Sequence, residues 1–168
     1  MKINEKIKLI SLSKYILIYL LVFITPMSSY AIEDNLFKSL QVSSHGTKFQ
    51  SARMKIAAEN LANEDSVSIT PGGDPYRRKV VYPKNYYDRK LKTHLVKIRK
   101  YGHDKTPFKK VYNPNHPGAD AQGYLKLPNI DKIIEKADAN EAQRSHEANL
   151  GMMEISKHMI NKTIEAMR

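Results

Sequence analysis

The chain has 168 residues, the usual length of one domain, which leaves little room for a two-domain enzyme. It contains no cysteine, which excludes disulfide frameworks, cysteine zinc sites and thiol nucleophiles, and no tryptophan, a frequent interface anchor. The formal net charge of +11 is concentrated in residues 76–110, which contain 13 basic residues and two acidic ones.

Residues 1–31 have the order of a secretory signal peptide. Four lysines precede an apolar run from Tyr15 to Ile24, and small residues stand at Ser29 and Ala31. Ten residues of helix rise about 15 Å, half of a hydrocarbon layer of ~30 Å, so we expect no stable membrane span in the mature chain. Three interpretations stay open: a cleaved signal peptide, an uncleaved anchor, or a true start at Met27.

Helical periodicity follows the leader, from residue 35 to 62. Alternating steps of three and four residues form one stripe, and a heptad-spaced stripe lies roughly opposite. A helix with apolar residues on two sides needs partners on both sides. The first stripe contains Phe37, Leu40, Ser44, Thr47, Ser51, Met54, Ala58 and Leu61; the second contains Val42, Phe49 and Ile56.

The middle of the chain is predicted to be a small β-rich region between turns. Residues 70–75 (TPGGDP) and 112–117 (YNPNHP) have turn chemistry. Between these turns, residues 76–82 and 91–101 are rich in β-branched and aromatic side chains that alternate with basic ones, which predicts two or three short strands. We expect residues 118–128 to be an extended connection.

A second long helix is predicted after Pro128, with Asn129 or Asp131 as its N-cap and Glu135 among the acidic residues that favour its first turns. It also has two apolar stripes. One contains Ile130, Ile134, Ala137, Ala148, Met152, Ile155 and Met159, and the other contains Leu150, Met153, Ile160, Ile164 and Met167.

The predicted fold class is mainly α with a small β insert (α+β). The long N- and C-terminal helices are expected to pack as an antiparallel coiled-coil pair, with a short basic β-rich domain between them. The segments are a leader over 1–31, an N-terminal helix over 32–66, an insert over 67–127 and a C-terminal helix over 128–168. Only 50 of the 137 residues after position 31 are apolar, so a large private core is not expected.

No catalytic or metal-binding motif is recognisable. The six histidines form no HExxH pattern, and the sequence contains no GxSxG, P-loop or GxGxxG motif. We therefore predict no catalytic residue, no cofactor and no metal site, and a protein that is not an enzyme. The basic middle is compatible with a solvated strand face, with a phosphate backbone and stacked bases, or with an acidic protein, wall polymer or lipid.

An ordered set of motifs spans the chain. It consists of residues 51–63 (SARMKIAAENLAN), 74–79 (DPYRRK), 112–114 with 119–131 (YNP and ADAQGYLKLPNID), 144–149 (RSHEAN) and 162–163 (KT). Together these segments resemble the flagellar basal-body rod protein family, and most closely its proximal-rod branch. His146 stands where the family usually has tyrosine.

The resemblance implies a structural subunit of the hollow, periplasm-crossing rod of the bacterial flagellum, in the basal body, serving motility. Implied partners are copies of itself, other rod proteins, the flagellar type III export apparatus and the surrounding ring proteins, with no nucleic acid. The alternative is a secreted cationic protein that binds nucleic acid or an anionic surface. The predicted assembly interface is Leu40, Phe49, Met54, Ile56, Asn60, Leu61, Asn63, Ala148, Met152, Ile155, Met159 and Ile160, and the predicted outer basic face is Arg77, Arg78 and Lys79.

Overall fold

The computed structural model describes the backbone of residues 28–168 and the side chains of residues 35–168. The predictions about the leader therefore lie outside the described residues, except for the helical backbone at residues 28–31. The chain divides into two compact units between Phe37 and Lys38, and the side-chain contacts given below lie within the second unit, Lys38–Arg168.

Along the chain, one long helix precedes and another follows a small antiparallel strand region, which confirms the α+β class. The order is α1 (Ser28–Ala62), β1 (Lys79–Asp88), β2 (Thr93–His103), β3 (Lys109–Tyr112), β4 (Tyr124–Leu127) and α2 (Lys132–Ala166). Strand β1 pairs with β2, and β3 pairs with β4, as two separate two-stranded sheets. Each helix has 35 residues and is about 52 Å long.

Helix α2 begins at a side-chain cap. Oδ1 of Asp131 accepts hydrogen bonds from the backbone N–H groups of Ile133 (2.9 Å) and Ile134 (3.3 Å), which satisfies donors that have no partner within the helix. Asn129, the other predicted cap, instead accepts a hydrogen bond from the backbone N–H of Arg78 at 2.9 Å. The residue three positions before the helix therefore connects its start to the residue that precedes the first strand.

The strands are longer and more numerous than the sequence pattern predicted. Strands β1 and β2 have 10 and 11 residues and pair in register from Lys79 opposite His103 to Asp88 opposite Thr93. The register shifts between Tyr82 and Pro83, because proline has no N–H to contribute to the ladder. Within residues 118–128, predicted to be an extended connection, the structure has strand β4.

The core of the described chain is small. Its buried apolar side chains are Ala52, Ile56, Ala57, Leu95, Leu125, Ile130 and Ala142, and its largest fully buried side chains are polar: Glu135, Asn60 and Ser156. This agrees with the expectation that the chain lacks a large private core. Among the described helices, none combines the length and the apolar character that crossing a membrane requires.

Candidate assembly interface

Helices α1 and α2 contact each other in antiparallel order, largely through small and polar side chains. Gly46 permits a close approach, because a Cβ atom at this position would lie 2.7 Å from the amide nitrogen of Asn149. Residue numbers that rise along α1 fall along α2. The contacts run from Ser39–Ser156 (3.3 Å) through Thr47–Met153 (4.0 Å) and Ser51–His146 (3.3 Å) to Arg53–Asp138 and Glu64–Lys132.

Asn60 is fully buried at the place where both helices meet β1. Its Nδ2 donates hydrogen bonds to Oε2 of Glu135 (3.0 Å) and to the carbonyl oxygen of Lys79 (2.9 Å). Its Oδ1 accepts hydrogen bonds from the backbone N–H of Lys79 (2.9 Å) and from the hydroxyl of Tyr76 (3.2 Å). These four bonds use the full capacity of the side-chain amide, so Asn60 connects three segments of the chain at once.

Glu135 completes this site, and we call Asn60, Arg78 and Glu135 the polar joint. The Glu135 side chain is 1% exposed, and its Oε1 accepts a hydrogen bond from Nε of Arg78 at 2.5 Å. Burial disfavours the charged guanidinium, but Glu135 and the nearby Asp104 outweigh this and raise the pKa of Arg78 above its ordinary value. A buried carboxylate is tolerated only with such compensation, so the joint depends on all three residues.

Asp104 supports the joint from the end of the β1–β2 hairpin. Hydrogen bonds from the hydroxyl and the backbone N–H of Thr106 hold the pKa of Asp104 below its ordinary value, and Arg78 contributes in the same direction. Its Oδ2 lies 3.5 Å from NH1 of Arg78. Among the described residues, no buried side-chain nitrogen or oxygen lacks a hydrogen-bond partner. The network is closed, as expected of a structural connection.

The predicted interface residues on α1 are largely turned into the subunit. Asn60 and Ile56 are buried, and Ile56 lines a cleft of about 290 Å³ together with Tyr101 and His103 of β2. The remaining five are half-buried: Leu40, Phe49, Met54, Leu61 and Asn63. At Ile56 the second stripe of α1 therefore has a partner within the chain, the β1–β2 hairpin, whereas Val42 of the same stripe is exposed.

The predicted interface residues on α2 point the other way. Ala148, Met152, Ile155 and Met159, which we call the outer stripe, are all exposed, whereas Ile160 is half-buried. The exposed fractions of Met152, Ile155 and Met159 are 46%, 55% and 47%. Helix α2 buries only Glu135, Ala142 and Ser156. It therefore turns small and polar residues inward and leaves larger apolar residues without a partner in the described structure.

Arg77, Arg78 and Lys79, the predicted outer basic face, are all engaged within the chain. The guanidinium of Arg77 lies 4.0 Å from the ring centroid of Phe108 and donates to the carbonyl oxygen of Asp104 at 3.1 Å. Arg78 belongs to the polar joint, and Nζ of Lys79 lies 3.0 Å from a carboxylate oxygen of Glu59. The structure thus gives these three cations contacts inside the subunit.

Glu135 is the site residue that the sequence reasoning missed. The sequence suggested only a favourable acidic residue near a helix start, because its partner Arg78 lies 57 residues earlier. A usable signal was present at heptad spacing, where Glu135, Ala142, Asn149 and Ser156 follow one another at intervals of seven residues. This small and polar stripe faces α1, together with Met153 of the second apolar stripe, whereas the outer stripe does not.

The described residues offer no metal centre, since they contain no group of three or more His, Asp and Glu side chains placed to hold an ion. What the geometry provides is a closed polar network inside the subunit and an apolar stripe outside it. Such an arrangement suits a building block that packs against other molecules.

Comparison with known proteins gives the family. The flagellar basal-body rod protein FlgC of Agrobacterium fabrum is 38% identical over 135 residues, which cover 80% of this chain and 97% of the relative. FlgC of Escherichia coli O6:H1 is 41% identical over 115 residues, 68% of this chain and 85% of the relative. FlgC of Bacillus subtilis is 33% identical over 144 residues, 77% and 96% of the two chains. No family model matches the sequence.

These relatives confirm the predicted resemblance and decide between the hypotheses for function. They are rod proteins and therefore structural, and none supports a secreted cationic protein that binds nucleic acid or an anionic surface. The chain belongs to the FlgC family of flagellar basal-body rod proteins, and it is a structural component of the basal body that serves motility together with other rod components, not an enzyme.

Proposed function

We propose that the chain is a proximal-rod subunit that assembles by packing the outer stripe of α2 against helices of neighbouring copies and of other rod proteins. The observation that supports this proposal is the exposure of Met152, Ile155 and Met159 on a helix whose inward side is small and polar. Soluble proteins rarely leave such a continuous apolar row open unless a partner covers it.

The spacing of the outer stripe suits a coiled-coil layer. Its members, at positions 148, 152, 155 and 159, follow steps of four, three and four residues, the pattern of a seam between helices. Full burial of a Met or Ile side chain stabilises by roughly 1.5–3 kcal/mol, so covering these half-exposed residues adds about 1 kcal/mol each. This gain is small for one pair of chains, but it repeats at every subunit of a polymer.

The small core supports the proposed route of delivery. Among the described residues, the buried apolar side chains are no larger than leucine or isoleucine. A chain with so little private core loses little by staying unfolded, which fits passage through the flagellar type III export apparatus before assembly. We include the export apparatus and the surrounding ring proteins among the proposed partners on this basis and on that of the family.

The proposal is tested by placing charges on the outer stripe. The variant Ile155→Glu/Met159→Glu should keep the helix content of the isolated chain, because both side chains are exposed, yet fail to restore motility to a strain that lacks its own FlgC. The matched control is Asn140→Glu/Asn161→Glu, which adds the same charge at two exposed positions of α2. The control should restore motility, and basal bodies isolated from both strains should show whether a rod is present.

Normal rods in the stripe variant would refute this mode of assembly. Loss of rods in both variants would also count against it, because the outer stripe would then be no more important than any other exposed surface of α2.

A further inference from the structure

The β1–β2 hairpin contains a concentration of unpaired positive charge, and we call residues 84–100 the basic hairpin. All of its cations are exposed, and none forms a salt bridge within the part of the chain that the structure describes. Its one acidic residue is Asp88, whose Oδ1 accepts hydrogen bonds from the backbone N–H groups of Lys90 (2.9 Å) and Leu91 (3.0 Å). The seven cations are Lys84, Arg89, Lys90, Lys92, Lys97, Arg99 and Lys100.

Two of these cations oppose each other directly. Lys84 pairs with Lys97 across the ladder, and like charges at such positions destabilise a sheet. The β3–β4 sheet has a comparable pair, Lys110 opposite Lys126, but there Nζ of Lys126 lies 2.8 Å from Oδ1 of Asp74. Among the residues whose side chains the structure describes, a carboxylate is supplied to one lysine pair and none to the other.

From this contrast we propose that the basic hairpin is a docking surface for an acidic face of another protein. A partner carboxylate near Lys84 and Lys97 would turn their repulsion into attraction, as Asp74 does for Lys126. This inference deepens the proposed assembly function and rests on it, because the hairpin would meet its partner in the assembled rod. The charge argument itself depends only on the isolated chain.

The aromatic side chains of the hairpin argue against nucleic acid as the partner. Nζ of Lys97 lies 4.7 Å from the ring centroid of Tyr86, and Nζ of Lys100 lies 5.3 Å from that of Tyr82. Tyr87 packs edge-on against His94 with ring centroids 5.2 Å apart. Base stacking needs open ring faces, and these three rings already have a contact with their own chain, while Tyr101, exposed near the end of β2, lines the cleft beside Ile56.

The surface chemistry argues against a membrane as well. The strongly exposed large hydrophobic residues of β1 and β2 in the described structure are Tyr82, Tyr87 and Tyr101, and no aliphatic side chain accompanies them. Segments that lie on membranes combine positive charge with apolar side chains that enter the headgroup region. The hairpin provides the charge without the exposed aliphatic side chains that would enter the membrane.

A second copy of the chain does not match the surface either. Among the described acidic side chains, only Asp65 and Glu154 have neither a salt bridge nor a side-chain hydrogen bond, against seven unpaired cations on the hairpin. The matching partner is therefore a different protein with a denser array of carboxylates.

The purified full chain tests the surface directly, with poly-L-glutamate as the acidic polypeptide probe. Lys84→Gln/Lys97→Gln should weaken binding roughly fivefold at physiological salt, as expected for two exposed charge pairs. The control Lys105→Gln/Lys109→Gln removes the same charge at two exposed positions outside the hairpin and should weaken binding by less than about twofold. Circular dichroism should show both variants to be folded.

Three results of the binding measurements would overturn the proposal. They are equal weakening of the two variants, tighter binding of oligo(dT) than of poly-L-glutamate at equal charge concentration, and tighter binding of phosphatidylglycerol vesicles. Motility of an FlgC-deficient strain separates the two proposals. If the unaltered chain fails to restore motility, the rod function fails while the binding result still supports the surface. If the unaltered chain and the hairpin variant both restore it fully, the surface has no role in assembly and is refuted.

Discussion

The polar joint and the basic hairpin use charge in opposite ways, although Arg78 of the joint and the cations of the hairpin belong to the same basic stretch, residues 76–110. In the joint, Glu135 is buried, and Arg78 and Asn60 supply hydrogen bonds to both of its oxygens. In the hairpin, Lys84 and Lys97 face each other without a carboxylate in the described structure. Charge that is fully paired fixes the insert to the helix pair, whereas charge that is left unpaired is available to another molecule.

The comparison divides residues 76–110 into two functional parts. The cations at its start, Arg77 to Lys79, contact helices α1 and α2 and the loop that follows β2, so their contacts are internal. The cations from Lys84 onward extend away from those contacts and stay exposed. An experiment on the first group therefore measures folding, and an experiment on the second measures docking.

The largest effect is expected from Asn60→Leu. The change leaves the Tyr76 hydroxyl, the Lys79 backbone and one oxygen of Glu135 without their partner. Because each buried group without a partner costs about 1–3 kcal/mol, we expect the free energy of unfolding to fall by about 3 kcal/mol. Urea titration measures it, and the exposed control Asn140→Leu should stay within about 0.5 kcal/mol of the unaltered chain.

A smaller effect is expected when the charge pair of the joint is broken. Glu135→Leu removes the partner of a partly buried guanidinium and should cost about 2 kcal/mol, below the range for fully buried pairs because Arg78 is 23% exposed. Arg78→Met/Glu135→Leu removes both charges and should recover much of that loss. If the double variant is as unstable as the sum of the two single ones, the residues do not act as a pair.

The sequence predicted the features that depend on local pattern. The two-sided apolar spacing predicted both long helices, and Pro, Gly and Asn predicted the turns. The motif around Asn60 and the motif around Arg78 indicated the family, which the relatives confirm. These features depend on residues that lie within about 30 positions of each other, so periodicity and turn chemistry are sufficient to find them.

The large apolar residues of the sequence did not show which face of each helix would be buried. Large apolar residues suggested the seam, but α2 packs with its heptad of Glu135, Ala142, Asn149 and Ser156 inward, and Gly46 of α1 leaves room for the side chain of Asn149. The burial of Glu135 depends on Arg78 and Asn60, which are distant in sequence. Such compensation is a property of the assembled fold and leaves no local pattern.

Acidification should weaken the paired region through Asp104 and Asp74. Hydrogen bonds from Thr106 lower the pKa of Asp104, and the ammonium of Lys126 lowers the pKa of Asp74. A carboxyl with a lower pKa in the folded state stabilises the fold above its unfolded value of about 3.9, and this stabilisation is lost as the pH falls through the folded value.

The free energy of unfolding should therefore be level from neutral pH to about pH 5 and decline below about pH 4. Urea titrations at a series of pH values measure this decline. Asp104→Asn should make it shallower. An equal slope for this variant and the unaltered chain would show that Asp104 does not carry the effect.

The smallest effect is expected in the hairpin, and it has the opposite sign. Lys84→Gln removes the repulsion from Lys97 and should raise the free energy of unfolding by about 0.5 kcal/mol at low salt. Lys110→Gln is the matched control, because its opposite lysine, Lys126, is already paired with Asp74, and it should change stability very little. In 1 M salt, where charges are screened beyond about 3 Å, the gain from Lys84→Gln should disappear. A gain of the same size in both variants would mean that Asp74 does not relieve its lysine pair, and the contrast between the two sheets would then carry no information about a partner.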